Sequence, residues 1–342
     1  DAWIGQPGYP VVEARREGRR LLLTQRRFFS EPRGGGEAPA APAAAAGGEA
    51  IWPVPLVVRY EDAGGVKEQR HLLRGAAGEV ALPGEGQVRW AVANAGSTGF
   101  YRVAYDPTSL AALAANLPRL APPERIGLLA DEWALVRSGL REPGAFLDAL
   151  AAFGGEQDYA VLDELAARVA TVEARLLDPE VRGRFQRFVA GLVGPAFARA
   201  GWDPAPGEGD PERLRRAALL RALALVAREP GAVAEGGRRL DRTLAGDAAA
   251  LEPNLHDAAV AMAARAGDGA RFEALRARFK VEPDPALKRR YLTGLALFED
   301  PALAARATEL AFGDEIPLQD AAPYLGALLG NRAARDGFSG AL

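Results

Sequence analysis

Histidine is the side chain most often recruited for metal binding and general-base work near neutral pH, and this sequence has two, His71 and His256. A hydrolytic zinc site of the common helical kind needs two histidines one turn apart with a glutamate between them. Neither histidine here has a second one four residues away, so no such site assembles locally, and structural or surface roles are expected for both. His256 follows Asn254 near an expected helix start, where a ring can meet free backbone groups. Cysteine is absent, which removes thiol nucleophiles, disulfides and thiolate metal sites together. Ser30, Ser97, Ser109, Ser138 and Ser339 lack the G-x-S-x-G context that exposes a nucleophile on a strained turn. Asp131 and Glu132 are adjacent carboxylates, but neighbouring helix positions point about 100° apart and do not converge on one bond. The expectation is therefore no catalytic residue and no metal ligand in this sequence.

Phosphate and nucleic-acid chemistry find little support. Gly34-Gly35-Gly36 is not followed by a helix carrying Lys-Ser or Lys-Thr, as a phosphate loop requires. The basic clusters Arg15-Arg16, Arg19-Arg20, Arg26-Arg27, Arg213-Arg215-Arg216 and Lys288-Arg289-Arg290 have no interleaved aromatic ladder and have acids nearby, so a solvated surface is expected. Phe185, Phe188 and Phe197 fall at helical spacings and read as core.

The elements that would position any site divide into two kinds. Val11–Arg15 and Arg20–Arg26 flank Glu17-Gly18, a hairpin signal. Further strands are expected at Pro55–Glu61, Gln69–Arg74, Glu79–Leu82 and Gln87–Asn94, and Phe100–Tyr105 is either the last strand or the lead into the next domain. Residues 34–50 hold no large apolar side chain and are expected to form a flexible insert. After Asp106 the period becomes helical. Leu110, Leu113 and Leu117 begin a run of helices of ~10–18 residues separated by Pro or Gly breaks. The expected fold is a multi-domain β + α chain: a small antiparallel β-sandwich over 1–104, then an α-helical superhelix of HEAT/ARM-like type over 105–342.

The bulk numbers agree. A length of 342 residues suits two domains, and 49% hydrophobic with 25% charged residues is ordinary for globular proteins. The net charge of −3 supplies no basic field for nucleic acid, and no apolar run approaches the ~20 residues that span a bilayer. Of 42 basic residues only Lys67, Lys280 and Lys288 are lysine. With the many Ala, Gly and Pro, this reads as a GC-rich bacterial codon bias, and the lack of cysteine fits a reducing cytoplasm. The start Asp1-Ala2-Trp3-Ile4 has neither an initiator Met nor a signal-peptide pattern and is expected to be a cut within a longer protein.

Four segments carry a resemblance. Trp3-Ile4-Gly5-Gln6-Pro7-Gly8-Tyr9-Pro10-Val11-Val12 resembles the W-x-x-Q-x-G-Y-P-V-V segment that follows the catalytic domain of M1-family zinc aminopeptidases. Leu21–Phe28, with its Q-x-R-F ending, resembles the next strand of that family. Ile51–Leu56 is similar to W-x-V-P-L, and Asn94–Asp106 to N-x4-G-Y-Y-R-V-x-Y-D. Pro122–Gly139 resembles the helix pair that opens the helical domain of the puromycin-sensitive and antigen-trimming branch. The motif residues Trp3, Gln6, Gly8, Tyr9, Pro10, Gln25, Phe28, Trp52, Pro55, Asn94, Gly99, Tyr101, Arg102, Tyr105 and Asp106 are expected to fix the sandwich and its docking.

What the resemblance implies is a metallo-aminopeptidase with zinc and its H-E-x-x-H motif in a domain upstream, and a helical bowl closing over the active site. The present chain matches the small β-sandwich and the helical bowl, the last two of that family's four parts, with no cofactor of its own. Its partners would be the upstream catalytic domain and the parent's peptide substrate, with no nucleic acid and no membrane segment. Arg125, Asp131, Arg289 and Tyr291 are the candidates for facing the peptide on the concave side, with surface salt bridges as the alternative reading. A free-standing helical-repeat scaffold that works by protein–protein binding shares the same fold expectation and stays open at this point.

Overall fold

Val54, Leu56, Val58 and Tyr60 alternate with more exposed neighbours, the period-2 pattern of a strand with one buried face. In the computed structural model, which describes residues 2–31 and 50–339 (336–339 by backbone alone), they lie in β3. Seven strands are described: β1 (Pro10–Glu17), β2 (Arg20–Arg27), β3 (Val54–Asp62), β4 (Gly65–Leu73), β5 (Ala77–Ala81), β6 (Trp90–Val92) and β7 (Arg102–Tyr105). They form a four-stranded sheet in the order β5-β2-β1-β7 and a three-stranded sheet in the order β4-β3-β6. Residues 32–49, which cover nearly all of the expected flexible insert 34–50, lie outside the described residues.

The β1–β2 hairpin turns at Gly18, whose φ of +58° suits glycine, in the register Glu17↔Arg20 through Pro10↔Arg27. One expectation needs correction. The sandwich is not wholly antiparallel, because β7 pairs parallel to β1, with Val11↔Arg102 and Ala14↔Tyr105. The chain reaches β7 from β6, in the other sheet, and a strand arriving by such a crossover is free to run parallel. Pro55 sits within β3 at a point that β6, paired only with Arg59–Glu61, does not reach, so its missing N–H breaks no ladder there.

Thirteen α-helices follow among the described residues: α1 (Pro107–Ala115), α2 (Pro122–Arg137), α3 (Pro143–Ala151), α4 (Tyr159–Arg175), α5 (Pro179–Ala200), α6 (Asp210–Arg221), α7 (Pro230–Leu244), α8 (His256–Arg265), α9 (Gly269–Val281), α10 (Pro285–Leu295), α11 (Pro301–Ala311), α12 (Leu318–Gly330) and α13 (Arg332–Ser339). Asp-Pro pairs start several of them. Asp106, Asp284 and Asp300 each accept two N–H groups of the following turn at 2.8–3.2 Å, while proline at the first position needs no partner for a missing donor. α6 runs directly into a π-helical segment, Ala222–Val226.

The chain divides into two compact units, residues 1–165 and 166–342. The sequence period changes near 105, whereas α1–α3 belong with the sheets in the first unit. In the second unit Phe272, Leu275, Phe279, Tyr291, Leu295, Phe298, Tyr324 and Leu328 form a buried core. No described helix is long and apolar enough to cross a membrane.

Candidate functional site

In the first unit the motif residues form one connected framework. Gly8 takes φ +91° and turns the chain into β1. Trp3 donates Nε1–H to the Pro53 carbonyl at 3.2 Å, and Gln6 donates to the Ile51 carbonyl at 3.0 Å. Trp3 lies 6.2 Å from the Trp52 ring, and Tyr9 packs on Phe28 at 5.4 Å and on Phe100 at 5.0 Å. Gln25 is buried, and its amide is fully used: it donates to the carbonyls of Trp52 and Gly75 at 2.7 and 2.9 Å and accepts from the Trp52 N–H at 3.1 Å. A buried amide pays its desolvation only when so satisfied.

The segment Asn94–Asp106 ties sheets to helices. Asn94 and Gly99 bond each other reciprocally, side chain to backbone, at 3.2 and 2.8 Å. A Cβ on Gly99 would stand 2.0 Å from the Tyr101 ring, so only glycine fits. Tyr101 donates to the Ala93 carbonyl and Tyr105 accepts from the Ala93 N–H, both at 2.9 Å. Burial pushes both hydroxyls above the ordinary tyrosine range, with Asp131 adding to the rise. Glu124 of α2 accepts from the Ala121 N–H at 2.8 Å, the Gly96 N–H at 3.2 Å and Arg59 Nε at 2.8 Å.

The four peptide-facing candidates fall two in each unit. Asp131 is 7% exposed. Its carboxylate accepts the Val103 N–H at 3.0 Å and Arg102 Nη1 at 3.2 Å, clasping α2 to β7. Burial raises its pKa to about 7 against those two partners. Glu132, pointing elsewhere as helical geometry requires, pairs with Arg141 at 2.8 Å. Arg125 pairs with Glu156 at 2.7 Å and donates to the Leu120 carbonyl at 2.6 Å. In the second unit Tyr291 is 2% exposed within the core, while Arg289 is exposed and pairs with Asp320 at 3.1 Å. Asp131 and Tyr291 thus have their side chains enclosed by protein.

Of the histidines, His71 lies in β4 opposite Leu56. His256, at the start of α8, is buried, and that burial lowers its pKa, helped by the Arg290 charge. Among the described residues no three His, Asp or Glu side chains come together where a metal could be held.

A group missed by sequence reasoning lies wholly within the second unit. The π-helical segment ends with Ala227 N–H on the Ala222 carbonyl at 3.0 Å and Glu229 N–H on the Leu223 carbonyl at 3.1 Å. Arg228 between them takes φ +52°. Helix ends of this kind ordinarily place glycine there, and an arginine carries strain of about 1 kcal/mol. Arg228 pairs bidentately with Glu299 at 2.6 and 2.7 Å. Arg182 pairs with Glu173 at 3.0 Å, and Arg265 donates to the Leu225 carbonyl at 2.8 Å with Glu299 4.0 Å away. Burial lowers the Arg265 pKa, with Glu299 opposing and Arg228 reinforcing the fall. Beside these groups a cleft of about 590 Å³ opens, lined among others by Arg182, Gln186, Arg228, Glu299, Thr308 and Arg332. The only local hint in the sequence is an arginine where a helix end would take glycine.

Two β-sheets followed by a helical domain, with the Asn94–Asp106 segment joining them, define the class. Residues 90–338 match the family model described as the ERAP1-like C-terminal domain, and the chain belongs to that family. Over 94% of its length it is 29% identical to Aminopeptidase M1 of Arabidopsis thaliana, and over 93% it is 28% identical to Aminopeptidase M1-A of Oryza sativa subsp. japonica. Over 66% of its length it is 28% identical to Tricorn protease-interacting factor F2 of Thermoplasma acidophilum. It spans 37%, 36% and 25% of those proteins, respectively.

Proposed function

We propose that this chain is the non-catalytic, substrate-enclosing part of a zinc aminopeptidase of the M1 family, working in a bacterial cytoplasm together with a catalytic domain on the same polypeptide. The observation that carries this reading is the similarity to aminopeptidases along nearly the whole chain, while the chain spans little more than a third of their length. Peptide hydrolysis is assigned to the remaining part of such an enzyme. In this reading no metal-dependent step is assigned to the residues of this chain. The helical domain would enclose the peptide and exclude water, which strengthens electrostatics at a reacting centre, and its motion would gate access.

The test is to isolate the complete gene and compare its product with this chain on an aminoacyl fluorogenic substrate in the presence of zinc. The complete product, carrying H-E-x-x-H, should hydrolyse the substrate, and this chain alone should not. Hydrolysis that copurifies with this chain, or a complete gene without the zinc motif, would overturn the reading. The second outcome would favour a stand-alone scaffold.

A further inference from the structure

We propose that the cleft beside Arg228 in the second unit is a binding site for a compact phosphate-class dianion. Three arginines, Arg182, Arg228 and Arg332, line it together with one acidic residue, Glu299. The lining is therefore +3 − 1 = +2. Glu299 pairs with Arg228, while Glu173, which pairs with Arg182 and stands 4.0 Å from Arg228, and Arg265, 4.0 Å from Glu299, adjoin the lining; the cluster of four arginines and two glutamates keeps the same net charge of +2. Gln186 and Thr308 add neutral hydrogen-bonding groups to the same wall. A volume of about 590 Å³ is in the range of small-molecule sites. Guanidinium groups bind phosphate oxygens through paired, charge-assisted hydrogen bonds.

The backbone supplies an independent reason to look here. The turn after the π-helical segment would be met by glycine without strain, yet the chain carries arginine at φ +52°. The paired bonds from both Arg228 Nη groups to Glu299 fix the guanidinium at the cleft wall. An arginine held at a backbone cost where glycine would serve, beside a cationic cleft, marks a position kept for its side chain rather than for the turn. The π-helical segment just before it is a feature that recurs at functional sites. This inference does not depend on the aminopeptidase reading, since its readout involves no hydrolysis.

The experiment is isothermal titration of this chain with inorganic phosphate at about pH 8, where phosphate is mostly doubly charged, with chloride at matched ionic strength as the blank. Saturable binding at one site is expected. Arg228→Gly keeps the turn and removes the guanidinium, and it should weaken binding about tenfold or more; Arg332→Gln should weaken it severalfold. Thermal unfolding of each variant without phosphate confirms that it is folded. A glycerol phosphate arm separates free phosphate from a phosphate monoester as the source, because the tighter ligand identifies it. Acetate, singly charged, should bind far more weakly. No saturable heat, unchanged affinity in both variants, or acetate binding as tightly as phosphate would each overturn the proposal.

Discussion

The carboxylate of Asp131 in α2 accepts the backbone N–H of Val103 in β7 at 3.0 Å, from a position that is 7% exposed. A helix is thereby fastened to a strand by an acid that burial makes reluctant to ionise. Arg102, from the same strand, supplies the charge partner at 3.2 Å. The arrangement holds the junction in place and also gives it a pH dependence.

The sign follows from the raised pKa. Native Asp131 keeps its proton up to about pH 7, whereas in the unfolded chain an aspartate loses it near pH 3.9. Its contribution to stability is thus full below about pH 4 and is lost as pH rises toward 7, to a limit of about 4 kcal/mol. Urea unfolding of the wild type and Asp131→Asn across that window should show a downward slope in the wild type that the variant lacks. Parallel slopes would contradict the assignment.

Gln25 gives a second prediction. Gln25→Leu leaves the Trp52 N–H and two carbonyls without the partners described above. The expected loss is about 2–3 kcal/mol, read as a lower urea midpoint at unchanged m-value.

Gly99→Ala should destabilise by about 1–3 kcal/mol, because the added methyl meets the Tyr101 ring and the loop has to shift. Near-ultraviolet circular dichroism of Tyr101 and its neighbours is expected to change alongside the midpoint.

Arg228 tests the reading of the strained turn. Replacing it by glycine relieves strain and forfeits a partly exposed ion pair, two effects of about 1 kcal/mol each that nearly cancel. Arg228→Val loses the pair and adds a β-branched side chain at positive φ, for a cost of about 2 kcal/mol. Thermal melts should therefore rank wild type and the glycine variant together, with the valine variant below.

Much of the fold was legible because it is local. The Glu17-Gly18 turn, the change of period after Asp106 and the Asp-Pro helix starts each act within a few residues, and the strands and helices fall close to where these signals put them. The parallel pairing of β7 with β1 was not legible, since residues 102–105 and 11–14 lie some ninety positions apart and a four-residue strand carries no mark of direction. The ion pair of Arg228 with Glu299 was hidden for the same reason, one arginine looking like any other until the chain brings its partner near. The enclosure of Asp131 and Tyr291 likewise depends on which helix face meets which neighbour, which a polar side chain does not announce.

The parallel β1–β7 pairing also bears on how the chain is made. During synthesis β1 and β2 can pair early, but Val11, Val12 and Ala14 keep an open hydrogen-bonding flank until Tyr105 has left the ribosome. For that interval the nascent chain carries an unpaired strand edge of open N–H and C=O groups, the kind of surface that other chains join. Closing it falls to the Tyr-Arg-Val-Ala-Tyr segment, whose arrival ends the exposure just before the first helix begins.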